Sequence, residues 1–439
     1  MMLPPMQDTP PGTDAAAATA HGELEVVGLK HFKRLMPLLH RLDQIGCERD
    51  TAGNRRLFMS DYCATVLLYL FNPMINSLRM LQETLPLPHV FKALGVRRFS
   101  LGSFSESVRV FDPRQLKQII DELAGELVPL SKDPRLSEVK HALTLVDSTV
   151  LAGLSRLVQA ACDPTRYNTA KDGRALHGWR LHMQLDLLTF CPRKMQLAGA
   201  RNAGKNRENQ VLRQSLEAGR CYVGDAAYAD RGLADEIVTA ASSYVFRIRE
   251  DAVFSVLEER LLSQEALDAH VVRDAVVRLG TGDAAEMNHA VRLIELQVNP
   301  QKRRIRTKRN RASQHTRYTD RLLIVTNLID LPAELVALIY LYRYTVELFF
   351  RFFKHLLGMR HLLSQRQEGV EIQVYCCVIA CMLINLWTGK RPNKATVTML
   401  AWYLMGVATE AEVMAHINRP DNTGIKLRAK EELWKKWGG

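Results

Sequence analysis

The chain contains 439 residues and carries a formal net charge of +12, from 59 Lys and Arg against 47 Asp and Glu. Hydrophobic residues make up 47% and charged residues 24%, which is ordinary for a globular protein. These values exclude a disulfide-stapled mini-protein, a fibrous repeat and a wholly disordered chain, and the length suits roughly two to four domains. The positive surplus favours an anionic partner, with nucleic acid ahead of an acidic membrane surface.

The N-terminal residues 1–24 are rich in Pro, Ala, Thr and Asp, and lack the basic and apolar regions of a signal peptide. We expect a disordered lead-in here. The eight cysteines form no CxxC pair, which favours free thiols in a reducing cytosol. The apolar run 374–387 is shorter than the roughly 20 residues that span a bilayer, so it predicts a core helix. The sequence therefore predicts a cytoplasmic protein without a membrane segment.

Residues 25–138 are predicted to be helical. The segment Tyr62–Phe71 is strongly apolar and should form a buried helix. Asp112 and Pro113 are typical of a helix start, and the apolar residues after them repeat at helical spacing. Short helices with scattered Arg and Lys resemble a DNA-binding head, and we interpret this region as a helical DNA-binding domain.

From residue 142 onwards, short apolar and β-branched runs alternate with helical segments, which predicts a mixed α/β sheet. The predicted strands are 143–150, 181–190, 195–197, 220–224, 244–249 and 322–327. Helices are predicted at 207–217 and 231–241, between the later strands.

The region between residues 250 and 320 has strand patterns at 270–279 and 290–298. The segment 301–317 follows, with eight Lys and Arg and no acidic residue. Such a segment could follow a DNA backbone, with steeply salt-dependent binding, and the alternative is a solvated loop. The residues expected to contact DNA here are Lys302, Arg303, Arg304, Arg306, Lys308, Arg309 and Arg311.

A long helix is predicted to begin near Pro332. Offsets of 0, 3, 7, 11 and 14 residues, at about 100° per residue, place five polar side chains in a stripe roughly 80° wide. These are Tyr340, Arg343, Glu347, Arg351 and Lys354. The phenylalanines at 349, 352 and 353 fall on the opposite side. The simplest alternative is a solvated charged face with a Glu347–Arg351 pair worth a few tenths of a kcal/mol.

Two further carboxylates are associated with strands. Asp147 interrupts the apolar run 143–150, and Asp225 follows the strand 220–224. A buried strand does not carry an aspartate without a reason, and carboxylates at strand ends are typical of sites in α/β sheets. As alternatives, Asp225 could be a helix N-cap and Asp147 a turn residue. With Glu347 they make a hard-oxygen set for Mg²⁺ or Mn²⁺, and two such ions can promote phosphodiester chemistry.

The spacing of four residues in the predicted stripe resembles the YREK signature of bacterial insertion-sequence transposases. The four are Tyr340, Arg343, Glu347 and Lys354. These transposases are similar to the wider DDE transposases, which have an RNase H-like catalytic domain. Asp147 resembles the first acid of that family, and the pattern of residues 225–228 resembles the second. The resemblance covers roughly residues 140–360.

The resemblance implies a metal site with two Mg²⁺ or Mn²⁺ ions, held by Asp147, Asp225 and Glu347. It also implies that the Tyr, Arg and Lys of the signature contact phosphates near the cleaved end, while Arg351 could touch DNA or simply pair with Glu347. The implied reaction is hydrolysis at a transposon end to free a 3′-hydroxyl, which then attacks target DNA. The implied partner is double-stranded DNA, bound by a homodimer at the bacterial nucleoid.

The implied architecture is an RNase H-like catalytic domain in two parts, separated by a β-rich insertion and preceded by the helical domain. The predicted boundaries are 1–24 for the lead-in, 25–138 for the helical DNA-binding domain, 139–250 and 321–390 for the two catalytic parts, 251–320 for the insertion with its basic loop, and 391–439 for a C-terminal helical tail.

The sequence allows two alternatives to an active transposase. The chain could be a DNA-binding protein that has lost catalysis, or a metal-dependent nuclease without strand transfer. Some relatives form a DNA hairpin and flip a base onto an aromatic residue of the insertion. The aromatic residues near that region are Tyr244, Phe246 and Phe254.

Overall fold

The structure is a computed structural model. The residues that it describes are 32–45, 50, 53, 55–127, 133–152, 178–199, 207–280, 287–297, 321–355, 362–364, 366–389 and 394–419. The predicted lead-in, the basic segment 301–317 and residues 420–439 of the tail lie outside the described residues.

The described residues up to 127 are helical. Their helices are α1 (Phe32–His40), α2 (Leu42–Ile45), α3 (Met59–Phe71), α4 (Leu78–Thr84), α5 (Pro88–Leu94), α6 (Leu101–Ser107) and α7 (Gln115–Glu126). The α3 helix is almost entirely buried, as predicted for 62–71. The α7 helix begins two residues after Pro113, because the Asp112 carboxylate accepts the backbone N–H of Arg114 and closes a turn first.

A nine-stranded sheet follows, and a short 3₁₀ turn at Pro134–Leu136 precedes it. The strands are β1 (Ala142–Ala152), β2 (Gly178–Asp186), β3 (Cys191–Gly199), β4 (Arg220–Gly224), β5 (Ser243–Ile248), β6 (Phe254–Glu259), β7 (Val271–Leu279), β8 (Val291–Gln297) and β9 (Arg321–Thr326). Their order in the sheet is β3-β2-β1-β4-β5-β9-β8-β7-β6. The pairs β1–β4 and β4–β5 are parallel, and every other neighbouring pair is antiparallel.

The predicted strands are observed with small changes in their limits. The predicted strand 181–190 ends at Asp186, because the Asp186 carboxylate accepts the N–H groups of Leu188 and Thr189 and closes a turn. Strands β6, β7 and β8, which come from the predicted β-rich region, extend the same sheet through β9. That region is therefore continuous with the main sheet in the described residues.

The remaining helices lie between and after the strands. They are α8 (Glu208–Arg213), α9 (Arg231–Thr239), α10 (Gln264–Asp268), α11 (Ala333–Leu341), α12 (Tyr344–His355), α13 (Gln367–Thr388), α14 (Lys394–Leu404) and α15 (Glu410–Asn418). One face of the sheet shares a core with the N-terminal helices, α12 and α13, and the other face packs on α9.

The long helix predicted after Pro332 is interrupted, so the prediction of one continuous helix was wrong. The backbone N–H groups of Arg343, Thr345 and Val346 each donate to the carbonyl three residues earlier, at 2.9–3.2 Å. This tightening ends α11 and restarts the chain as α12. The Tyr342 hydroxyl at the break donates to Asp133 at 2.7 Å. The stripe calculated for one continuous helix is therefore divided between α11 and α12.

The helix α13 is longer than the predicted apolar run. It has 22 residues, and by length and composition it could cross a membrane, but 89% of its most apolar window is buried within the protein. It packs against α3 and α7, with buried Cys63 of α3 hydrogen-bonded to buried Cys376. The prediction of a core helix with free thiols is confirmed, although the prediction that it is too short to span a bilayer was wrong.

Candidate active site

Asp147 and Asp225 lie next to each other at the sheet because of the parallel register of β1 and β4. Leu145 pairs with Val223, and two residues further along each chain are the two aspartates. β4 ends at Gly224, so Asp225 is the first residue beyond the strand. Its carboxylate accepts the N–H of Ala227 at 2.9 Å. The predicted alternative of an N-cap does not apply, since Asp230 caps α9.

Gly224 allows this close approach of strand and turn. A Cβ atom at this position would lie 2.9 Å from the side chain of Val146 and 2.9 Å from the ring of Tyr228, both buried.

We therefore expect Gly224→Ala to lower the free energy of unfolding by about 1–3 kcal/mol through overpacking, and to displace Asp225. Urea unfolding measures the effect. Gly125→Ala in α7 is the control, because nothing outside its own helix backbone and chain neighbours lies within 4 Å of its added Cβ. A stability loss equal to that of Gly224→Ala would contradict the prediction.

The third predicted acid, Glu347, lies in the first turn of α12, which packs against β1. Arg343, at the break between α11 and α12, links it to the strands. The Arg343 Nη2 atom donates to Glu347 Oε1 at 2.7 Å, and Nη1 lies 3.9 Å from Asp147 Oδ2. The side chains of Arg343 and Asp147 are 21% and 20% exposed, and that of Glu347 is 41% exposed. In the described part of the chain, Glu347 therefore pairs with Arg343 rather than with Arg351.

The three carboxylates interact electrostatically. The pKa of Asp147 is raised to about 6, above all by burial and further by the negative charges of Asp225 and Glu347. The N–H of Ser148 and the guanidinium of Arg343 act in the opposite direction and lower this pKa. Three carboxylates from separate segments thus share one field, which is the electrostatic condition that a divalent cation relieves.

Tyr340 and Lys354, the outer residues of the signature, occupy different surroundings. The guanidinium of Arg343 lies 6.0 Å from the Tyr340 ring centre, and burial is the main cause that raises the Tyr340 pKa. Lys354 Nζ donates to the backbone carbonyl of Val150 on β1 at 2.8 Å. Lys354 therefore attaches α12 to the edge of β1. Arg351 is exposed and lies 3.5 Å from the Tyr344 hydroxyl.

The donor set suits a hard divalent cation, because carboxylate oxygens are the ligands that Mg²⁺ and Mn²⁺ prefer. The described residues nevertheless contain no group of three His, Cys, Asp or Glu side chains close enough to hold one ion. Arg343 instead supplies the positive charge beside Asp147 and Glu347. The structure thus places Arg343 between Asp147 and Glu347 as their counter-ion, with Asp225 beside Asp147 across the β1–β4 register.

Other predicted residues lie apart from this cluster. The basic residues 302–311 fall outside the described residues. Tyr244 and Phe246 are each 1% exposed, so neither can stack on a flipped base, and Phe254 is partly exposed. The sequence did not predict a hydrogen-bonded cluster on the sheet face opposite Asp147, which consists of Ser148, Arg180 and Glu208. Only the position of Ser148 next to Asp147 could have indicated it.

Residues 139–383, more than half of the chain, match the family described as "Transposase DDE domain". The chain belongs to this family. It is also 25% identical over 301 residues to y4zB of Sinorhizobium fredii, a protein provisionally named as a transposase. The match covers 68% of this chain and 74% of that protein.

A structural similarity is found to the piggyBac transposase synaptic complex with hairpin DNA. The TM-score is 0.41 at 10% sequence identity, and the match covers 94% of this chain and 86% of that chain. This similarity is too low to support a comparison of residues or mechanism.

Proposed function

We propose that this protein is a catalytically active DDE transposase, which cleaves the phosphodiester bonds at the ends of an insertion sequence and joins the freed 3′-hydroxyl to target DNA. The observation that carries the proposal is the parallel register that sets Asp147 beside Asp225, with Arg343 joining Asp147 to Glu347. The strand order β3-β2-β1-β4-β5, with β1, β4 and β5 parallel, supports an RNase H-like catalytic unit. In this arrangement β6–β8 are the insertion before the Glu347 helix.

The three acids are proposed to hold two Mg²⁺ or Mn²⁺ ions. When bound, such ions lower the pKa of an attacking water and stabilise the leaving oxygen of a phosphodiester. The chain itself contributes the positions of the acids, because the β1–β4 register and the packing of α12 on β1 bring three distant segments together. Half-buried Asp147 faces a site from which part of the water is excluded, and this strengthens its interaction with any cation.

The proposed substrate is double-stranded DNA. Four further residues lie on or beside α11 and the Glu347 helix α12, and we propose that they contact phosphates near the cleaved bond. They are Tyr340, Arg343, Arg351 and Lys354. The basic residues Lys302 to Arg311 would extend this contact along the backbone. Because a transposon has two ends, we propose that two copies of the chain act together as a homodimer on DNA.

The test uses labelled duplexes that carry the DNA on either side of the gene, with Mg²⁺ and a circular target plasmid. We expect the wild type to release a 3′-hydroxyl end and join it to the plasmid. Glu347→Gln keeps the shape of the side chain and removes its charge, so we expect it to bind the duplexes normally and to lose both products. The matched control is Glu334→Gln, in the first turn of α11, which should retain activity.

Each other outcome would reject a different part of the proposal. Binding without any cleavage by the wild type would indicate a DNA-binding protein that has lost catalysis. Cleavage without joining would indicate a nuclease. Undiminished cleavage by Glu347→Gln would show that the site is assigned to the wrong residues.

A further inference from the structure

A polar cluster lies on the sheet face opposite Asp147. The Ser148 hydroxyl donates to Glu208 of α8, and Arg180 Nη1 of β2 donates to the Ser148 Oγ atom at 2.8 Å and to Glu208 at 3.2 Å. The side chains of Arg180 and Glu208 are 18% and 12% exposed. We propose that Ser148, Arg180 and Glu208 form a positioning network that holds the Asp147 carboxylate for metal binding. This inference rests on the proposed function.

The network is connected to the Asp147 carboxylate through the backbone of Ser148. The N–H of Ser148 donates to Asp147 Oδ1 at 2.7 Å. Successive residues of a strand face opposite sides, so the Ser148 side chain points to α8 while Asp147 points to α12. Any rotation of the peptide at Ser148 would therefore change both hydrogen bonds together and move the carboxylate.

This part of β1 has support from a strand on one edge only. Its pairing with β4 ends at Leu145, and in the described residues 147–152 pair with β2 alone. Among the residues that the structure describes, the absence of a strand along this edge of β1 leaves space for the site. It also means that no backbone hydrogen bonds to a neighbouring strand of the described chain fix β1 on that side. The contact of Lys354 with the Val150 carbonyl replaces part of that support at the free edge. The Ser148 network supplies the corresponding attachment from the opposite face.

Tyr228 interacts electrostatically with both the network and the acids. Its buried hydroxyl has its pKa raised chiefly by burial, and Asp147, Glu208 and Asp225 each raise it further. The charge of Arg180 lowers it. One phenol thus lies within electrostatic range of both clusters. Because the Arg180–Glu208 pair is neutral overall, it can stiffen β1 without adding negative charge to the three acids.

The competing explanation is that the network only attaches α8 to the sheet. The same face contains a matched hydrogen bond: Gln184 of β2 donates to the hydroxyl of Ser215, just after α8, at 2.7 Å. Gln184 lies four residues along β2 from Arg180 and pairs with Val146 rather than Ser148. Ser215→Ala therefore removes a comparable hydroxyl that has no contact with Ser148 or Asp147.

The experiment measures the melting temperature of the full chain without metal, and then its increase during a titration with Mn²⁺. Wild type should be stabilised by Mn²⁺, and Asp147→Asn should not. We expect Ser148→Ala and Glu208→Gln to need about 10- to 100-fold more Mn²⁺ than wild type to reach the same increase in melting temperature, as for other residues that orient metal ligands. Ser148→Thr, which keeps the hydroxyl, should remain close to wild type. Ser215→Ala should lower only the metal-free melting temperature.

The outcomes separate the two levels of the proposal. A wild type that does not respond to Mn²⁺ would reject the proposed metal chemistry, and the network's role with it. A wild type that responds, with an unchanged Mn²⁺ requirement for a given increase in both Ser148→Ala and Glu208→Gln, would overturn the positioning network alone. A Mn²⁺ requirement raised in Ser215→Ala as much as in Ser148→Ala would also overturn it, because the effect would then be general loosening of the sheet face.

Discussion

Replacing Asp147 with asparagine is expected to stabilise the metal-free protein by about 2–3 kcal/mol at pH 8, while cleavage of DNA is lost. The folded protein raises the pKa of Asp147 to about 6 through burial and the neighbouring carboxylates. In the unfolded chain the same group titrates near its ordinary value of about 3.9. Ionisation of Asp147 therefore costs stability in the folded state, and an asparagine avoids that cost.

The effect should depend on pH in one direction. Below about pH 4 the carboxyl is protonated in both states and contributes nothing. Between about pH 4 and pH 6 the folded state holds the proton more tightly, so wild-type stability falls as the pH rises. Above pH 6 the loss is complete. Urea unfolding of both proteins in EDTA, from pH 4.5 to pH 8, should show a gap that widens up to about pH 6 and then stays constant.

Asp133→Asn is a control of opposite sign. The hydrogen bond from Arg135 is the main cause that lowers the pKa of Asp133, to about 2. Its charge is therefore favourable in the folded state above about pH 4, so removing it should destabilise the protein throughout the same pH range. If the free energies of unfolding of Asp147→Asn and wild type differ by the same amount at every pH, the pKa of Asp147 is not raised in the folded protein. That result would contradict the prediction.

Breaking the buried ion pair between Arg292 and Asp274 is expected to have the largest effect on stability, about 3–5 kcal/mol for Asp274→Asn. Arg292 of β8 and Asp274 of β7 have side chains only 2% and 5% exposed, and their charged atoms lie 2.7 Å apart. The substitution keeps the shape of the side chain and leaves a guanidinium buried without its counter-charge.

Arg292 also organises the loop that leads to the site. It donates to the backbone carbonyls of Leu328 at 3.0 Å and Ile329 at 3.1 Å, and to that of Leu331. This loop joins β9 to α11, which precedes Arg343 and Glu347. The neighbouring pair Arg273–Glu259 is a matched control, because its side chains are 34% and 54% exposed. Glu259→Gln should cost less than about 1 kcal/mol. Equal losses in urea unfolding for the two variants would refute the distinction between the buried and the exposed pair.

Much of the secondary structure could be predicted because it follows from local pattern. Runs of apolar and β-branched residues placed β4 at 220–224 with its observed limits, and β7 and β8 within one residue of theirs. The phenylalanines predicted for the hidden side of the Glu347 helix are buried. Burial of one face imposes a period on the sequence, and that period can be read without knowing what covers the face.

The interruption at residues 342–343 could not be predicted in the same way. The sequence from Ala333 to His355 contains no proline or glycine, and it satisfies a helical pattern throughout. The break instead coincides with a contact from Tyr342 to Asp133, a residue far away in the chain. A helical period describes one segment by itself, whereas this break depends on a partner from another part of the fold.

The sequence by itself determined residue type and spacing, and from these three acids and their neighbouring cations were predicted to carry the chemistry. Only the tertiary structure decided their neighbours. The parallel register places Asp147 beside Asp225, Arg343 lies between Asp147 and Glu347, and Ser148 meets Glu208 from 60 residues away. Arg292, one basic residue among many in the sequence, is a buried charge. The physical reason is that residue type and period report local preference, while register and ion pairing arise from contacts between segments that are far apart in the chain.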